Sequence, residues 1–230
     1  MTPGARIGSA VRQETVYDKG RAMYPVIYEA DFNPAPNRWT TFFRPILAIP
    51  WMIVALFWGL LFIFTHFFAW ISIIVLGRYP EWLYEFNSGV VRYGVRFGAW
   101  LYLQTDEWPP FGLADEPDYP IRVDVAPRAE SQSRLKALFR LILALPMLLV
   151  SYAVNYMHLW VALVAWVTIV FRGYQPEGIN TALTFVNGFY ARLYGYVAFL
   201  TDEYPPIGAE KAGGPTDADP GTGETATVTP

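Results

Sequence analysis

An all-α integral membrane protein, made by tandem duplication of one helical unit with a short strand ahead of each copy, is the fold class the sequence predicts. Three observations carry the prediction. At a shift of 96 positions, Arg44 to Gly112 aligns with Arg140 to Gly208 without a gap, and 20 of the 69 positions are identical. The chain of 230 residues is 53% hydrophobic and 17% aromatic, too apolar for an ordinary soluble domain of its length. That excess is concentrated, because no charged residue occurs from 45 to 77 or from 141 to 171.

Taken in order, residues 1–23 form a polar segment without the apolar core of a signal peptide, so the first apolar run is expected to act as the insertion signal. Residues 24–112 are the first repeat unit, 113–118 a linker and 119–208 the second unit. Residues 209–230 are an acidic tail of Gly, Thr and Pro, expected to be disordered. Each unit opens on a lead-in, "YPVIYE" at 24–29 and "YPIRVD" at 119–124, which match at a shift of 95. Tyr24, Val26 and Tyr28 alternate as a strand does, and so do Tyr119, Ile121 and Val123. Two such strands can pair across a pseudo-twofold axis or serve as extended linkers.

The apolar run of each unit follows. As a helix at 1.5 Å per residue it would be about 50 Å long, against a hydrocarbon core of about 30 Å. One reading is a tilted helix kinked near Pro50 and Pro146; the other is a hairpin turning near Gly59 and Asn155, which occupy equivalent places. A second helix starts after Pro80 and Pro176, led by Glu81 and Glu177. In the first unit Glu81, Glu85, Ser88, Arg92 and Arg96 form one polar stripe; in the second the milder equivalent is Glu177, Thr181, Thr184, Gly188, Arg192 and Gly195. A tilted span followed by a striped helix that also spans, or a hairpin followed by a striped helix lying in the interface, each gives an even number of crossings, so both termini share one side. Twelve of the 17 Lys and Arg residues fall there, which predicts a multi-pass protein of the inner membrane with cytoplasmic termini.

Each unit closes on the same words, "TDEWPPFG" at 105–112 and "TDEYPPIG" at 201–208. Asp106, Glu107, Asp202 and Glu203 arrive where the second helices end, so their charge opposes the helix dipole and calls for a cation. Arg44 and Arg140, at the start of the apolar runs on the same side, are the expected partners. The Pro-Pro pairs stop the helices, giving a structural clasp at the interface. Arg96 and Arg192 are a matched ionisable pair in apolar helices, where function is the default suspicion and snorkelling the plainer account. His66 and His158 have Ala162 and Phe62 as counterparts and form no symmetric metal or haem site.

No cysteine is present, so disulfides, thiolate metal sites and Cys nucleophiles are excluded. No phosphate loop, dinucleotide fingerprint or nucleophile elbow occurs, and the dispersed basic residues offer nothing to nucleic acid. The "RPILAIP" opening (Arg44 to Pro50), "GRYP" break (Gly77 to Pro80), helical Arg92 and Arg96, and "TDEYPP" closure (Thr201 to Pro206) resemble bacterial membrane proteins of domain-of-unknown-function family 4389. The second unit departs at "GYQP", which lacks an arginine. What the resemblance implies is a membrane location and two tandem units; it supplies no activity. The residues favour a non-enzymatic accessory, scaffold or membrane-organising protein without cofactors. Its expected partners are the lipid bilayer and other membrane subunits or a second copy of itself. The alternative is a transporter or channel component with a site at the repeat interface.

Overall fold

The computed structural model describes residues 24–208; the polar N-terminal segment, the acidic tail and the sidedness of both termini lie outside the described residues. Within them the chain is mostly helical and repeats one unit twice. The order is β1 (Val26–Ala30), α1 (Arg38–Leu47), α2 (Ile49–Leu76), α3 (Glu81–Leu101), β2 (Ile121–Val125), α4 (Arg134–Leu138), α5 (Arg140–Arg172) and α6 (Glu177–Val197).

Local chemistry sets these boundaries. Asn37 accepts from the amides of Trp39 and Thr40 to cap α1, and Ser133 accepts from that of Lys136 to cap α4. Gly77 and Gly173 end the long helices with φ of 70° and 76°, conformations that disfavour residues with a Cβ. Pro80 and Pro176, with φ of -60° and -62°, then stand at the N-caps of α3 and α6. The apolar runs make no hairpin: Gly59 and Asn155 sit in mid-helix, where their neighbours continue the helical hydrogen bonding. In the first copy the bend falls at Ala48, just ahead of Pro50, and separates α1 from α2. In the second it falls at Phe139, so Pro146 lies inside α5.

The two copies are interlocked. β1 and β2 pair antiparallel, with Tyr28 opposite Val123, its own counterpart at the 95-residue shift. A pseudo-twofold axis therefore passes through that pair. Each strand lies on the other copy's helix: β1 packs on α6, and β2 on α3. Gln104, after α3, bonds to Thr184 and Asn187 in the first half of α6, while Val197 and Ala198 at the end of α6 lie by Val90 and Val91. The central helices α3 and α6 are thus antiparallel. So are the outer ones, because α2 ends with Gly77 against Arg134 of the second copy, and α5 ends where Arg38 donates to the Arg172 carbonyl.

Two layers with different chemistry result. Ile121, Val123 and Val125 of β2 are buried toward α3, whereas Glu29, Asp31 and Arg122 lie outside and form ion pairs at 2.7 and 3.3 Å. On the opposite side, only Ala69 and Ile73 of the 28 residues of α2 are buried. Side chains such as Leu56, Leu60, Phe64 and Phe68, and Leu149, Trp160 and Val164 on α5, are exposed. Helices α2 and α5 are long and apolar enough to cross a membrane.

Two consequences can be measured. A Cβ on Gly195 would meet Val26 at 2.6 Å, so Gly195→Val should force β1 off α6 and cost about 1–3 kcal/mol in thermal unfolding. Hydrogen bonds from Arg122 hold the Asp31 carboxyl below its usual range. A lowered folded value stabilises above the unfolded value of about 3.9 and ceases to do so as pH falls through the folded one. The NMR titration midpoint of Asp31 should lie below about 3.9 and return toward it in Arg122→Gln. The pair is exposed, so the effect should shrink with salt.

Candidate functional site

The most elaborate polar constellation is built twice, at equivalent positions. The guanidinium of Arg44, 2% exposed, donates to the Asp106 carboxylate at 2.7 Å, to the Thr105 carbonyl at 3.0 Å and to the Trp100 carbonyl. Arg140, also 2% exposed, donates to Asp202 at 2.8 Å and to the Thr201 carbonyl at 2.8 Å. Each lies over an aromatic ring, Arg44 above Trp100 at 4.9 Å and Arg140 above Tyr196 at 4.3 Å. These are the partnerships the sequence pointed to.

The remaining valences of each carboxylate go to a place the sequence reading missed. Asp106 accepts from the Asn37 amide at 2.6 Å, and Asp202 from the Ser133 amide at 2.8 Å. Each acid therefore joins the end of one helix to the start of another, where the short helix's dipole favours negative charge. The signal was present, since Asn37 and Ser133 are capping types standing 96 apart, outside the block of identities.

The second acid of each pair does not join. Glu107 and Glu203 are exposed, and their amides donate to the Thr105 and Thr201 hydroxyls. Their carbonyls accept from the lead-in tyrosine of the other copy, Tyr119 at 2.9 Å and Tyr24 at 3.4 Å. Burial pushes both phenols above their ordinary range, which keeps them protonated donors. Above each clasp the chain turns through a non-glycine residue in left-handed backbone, Leu103 at φ 70° and Phe199 at φ 62°. Side-chain amides brace these turns: Gln175 of the other copy donates to the Leu103 carbonyl at 3.0 Å, and Gln132 of the same copy to the Phe199 carbonyl at 2.8 Å.

The other expected residues stand apart. Glu81 and Glu177 are exposed in the first turns of α3 and α6, where they complement the dipole. Arg96, 1% exposed, donates to the Ala114 carbonyl at 2.9 Å and to Asp115 at 3.1 Å, tying the linker down beside β2. Arg192 is buried in α6, and Tyr24 of β1's lead-in donates to its carbonyl at 3.5 Å. His66 stacks on Phe199 and Phe62, and His158 on Tyr102, in separate places.

A different cluster lies between α3, α5 and α6. A cavity of about 120 Å³ is lined by Gly94, Gly98, Tyr102, Asn155, His158, Asn187, Tyr190 and Tyr194. It borders an apolar cavity of about 170 Å³ between α2, α3 and α6. A model of the family described as Domain of unknown function (DUF4389) matches residues 38–112 and again 134–208, omitting the strands. No curated protein matches the chain, and no solved structure does.

Proposed function

The chain belongs to the family described as Domain of unknown function (DUF4389), carrying it in two tandem copies, and from that premise we propose a non-enzymatic, membrane-organising scaffold. It is held in one leaflet of a bilayer, with α2 and α5 lying in the membrane plane and the paired strands facing water. The observation that carries this reading is the level of the strands. Ile121 packs by Ala99, Arg92 donates to the Val123 carbonyl, and Tyr84 donates to the Ala126 carbonyl, so β2 runs along most of α3. Along the same stretch, on α3's other side, α2 packs from Trp51 opposite Trp100 to Thr65 opposite Asn87. A bilayer crossed by α2 would immerse Glu29, Asp31 and Arg122 of the ladder in hydrocarbon, and a two-stranded edge cannot be satisfied there.

Lying flat removes the difficulty. Helices of 28 and 33 residues need not match a membrane thickness, and their exposed faces sink into the acyl boundary as one apolar raft. A wide wedge in one leaflet favours curvature and a platform for other proteins on the strand side. For transport, nothing in the arrangement favours a site at Arg96 and Arg192, since Arg96 is turned to the linker and not to the raft.

The chain has no cysteine, so Arg78→Cys and Glu107→Cys, both at exposed positions, can be tested with an impermeant maleimide in intact cells. One-leaflet seating predicts that neither labels until the cells are opened, after which both do. Labelling of the Arg78 position alone from outside would mean that α2 crosses, and the seating is then wrong.

A further inference from the structure

Resting on that one-leaflet seating, we propose that the cavity between α3, α5 and α6 is a binding site for a neutral lipid whose small head carries hydroxyl or carbonyl groups. Duplication made two equivalent cavities, and comparison of them carries the argument. At the 96-residue shift, Phe62 corresponds to His158, Val91 to Asn187, Gly59 to Asn155, Ala198 to Tyr102 and Gly94 to Tyr190. Phe62, Val91 and Ala198 line the cavity on the α2 side, and their polar counterparts His158, Asn187 and Tyr102 line the cavity on the α5 side, with Asn155 and Tyr190 beside them; Gly94 borders both. For His158 structural need does not account for the difference, because the first cavity packs Phe62 at the equivalent place, whereas Asn187 also has a structural role, its amide donating to Gln104 at 2.5 Å.

One of the polar groups has no protein partner. His158 is 3% exposed and closed on one face by Tyr102, with ring centroids 3.6 Å apart, yet its Nε2 makes no hydrogen bond among the described residues. A buried polar atom left unpaired is costly, and a ligand donor or acceptor would satisfy it. No Asp, Glu, Lys or Arg lines the cavity, so a charged head would be desolvated without a counter-charge. A plain hydrocarbon would leave His158 unpaired. The volume of about 120 Å³ limits the buried part to a few heavy atoms, the size of a glycerol end or a quinone ring. Exposed Gly94, Asn155 and Tyr194 form the mouth, between the long helices on the apolar side, from which a lipid tail can trail into the leaflet.

The test is native mass spectrometry of the full chain, released from nanodiscs containing dioleoylglycerol, a decyl-tailed benzoquinone or, as a charged comparator, dioleoylphosphatidylglycerol. One neutral lipid per chain should be retained, with the glycerol and quinone arms telling the two sources apart, and the anionic lipid should be held at least tenfold more weakly. His158→Phe installs the residue of the apolar cavity, which the fold already accommodates at position 62; Asn187→Val does so at the cost of the bond to Gln104, so its Tm is read alongside. They should lower retention at least tenfold while vesicle flotation stays unchanged. Equal retention of all three lipids, retention unaltered in both variants, or no lipid retained would overturn the site. Loss of flotation by the unaltered chain would instead refute the membrane seating.

Discussion

Arg44→Met and Arg140→Met are each expected to lower the stability of the detergent-solubilised chain by about 3–5 kcal/mol, the cost of leaving a buried ionic partner uncompensated. For a chain of this size that is a fall in Tm of about 6–20 °C. The reasoning is one of stranded groups. Removing the Arg44 guanidinium leaves the Asp106 carboxylate, whose side chain is 19% exposed, with only the Asn37 amide, and deprives the Trp100 and Thr105 carbonyls of their donor. Arg44→Lys should recover only part of the loss, because an ammonium cannot hold a carboxylate and two carbonyls in the same fixed fork. The paired variant Arg44→Met with Asp106→Asn discriminates further: if it is less damaging than the sum of its parts, the charge pair is the coupled unit. Indifference of Tm to Arg44→Met would show that the clasp contributes nothing to the fold.

The second large effect should appear only in the presence of lipid. Leu56 and Leu149 are 74% and 70% exposed, so Leu56→Asp or Leu149→Asp disturbs no internal packing. In the leaflet each exchanges a lipid-facing leucine for a carboxylate, a change of about 3–4 kcal/mol at full depth. Partition to vesicles should fall more than about 100-fold per substitution at full depth and less if the helix lies shallower, while Tm in detergent hardly moves. Depth-dependent quenching by lipids brominated along the acyl chain gives a direct check. A fluorophore on Trp160→Cys, on the outer face of α5 in a chain with no other cysteine, should be quenched by bromines near the headgroup more strongly than by those near the bilayer midplane. Strongest quenching at the midplane would indicate an upright helix.

What could be read from the sequence was what the chain encodes locally. The duplication, both strands, the breaks at Gly77 and Gly173 and the pairing of Arg44 and Arg140 with the repeated acids all follow from residues at fixed offsets. The polar stripe from Ser88 to Arg96 does too, and it turns toward β2 and the linker. What escaped reading depends on the exchange of strands between copies. Hydropathy is the same for a helix lying in a leaflet and one crossing it, so the runs from 45 to 77 and 141 to 171 mark long apolar helices without choosing between the two. The one-leaflet proposal rests instead on the charged ladder set alongside α3, an arrangement no local pattern encodes. The asymmetric cavity is hard to read for a related reason. The difference between His158 and Phe62 is visible in the sequence, but it carries no meaning until the fold sets Tyr102 and Asn187 beside it.

The register of the strand ladder also bears on symmetry. Tyr28 faces the residue that descends from the same ancestral position, Val123, and each strand rests on the helix of the other copy. Two separate single-copy chains could make every one of these contacts between them, the central tyrosine meeting its twin. The fold therefore has the symmetry of a homodimer of single-copy chains, with the linker from 113 to 118 joining its halves. In such a homodimer any substitution in one cavity would appear in both. Joined in one chain the halves can differ, with His158 and Asn187 on one side and Phe62 and Val91 on the other, so half of a symmetric assembly is free to specialise while the rest keeps its form.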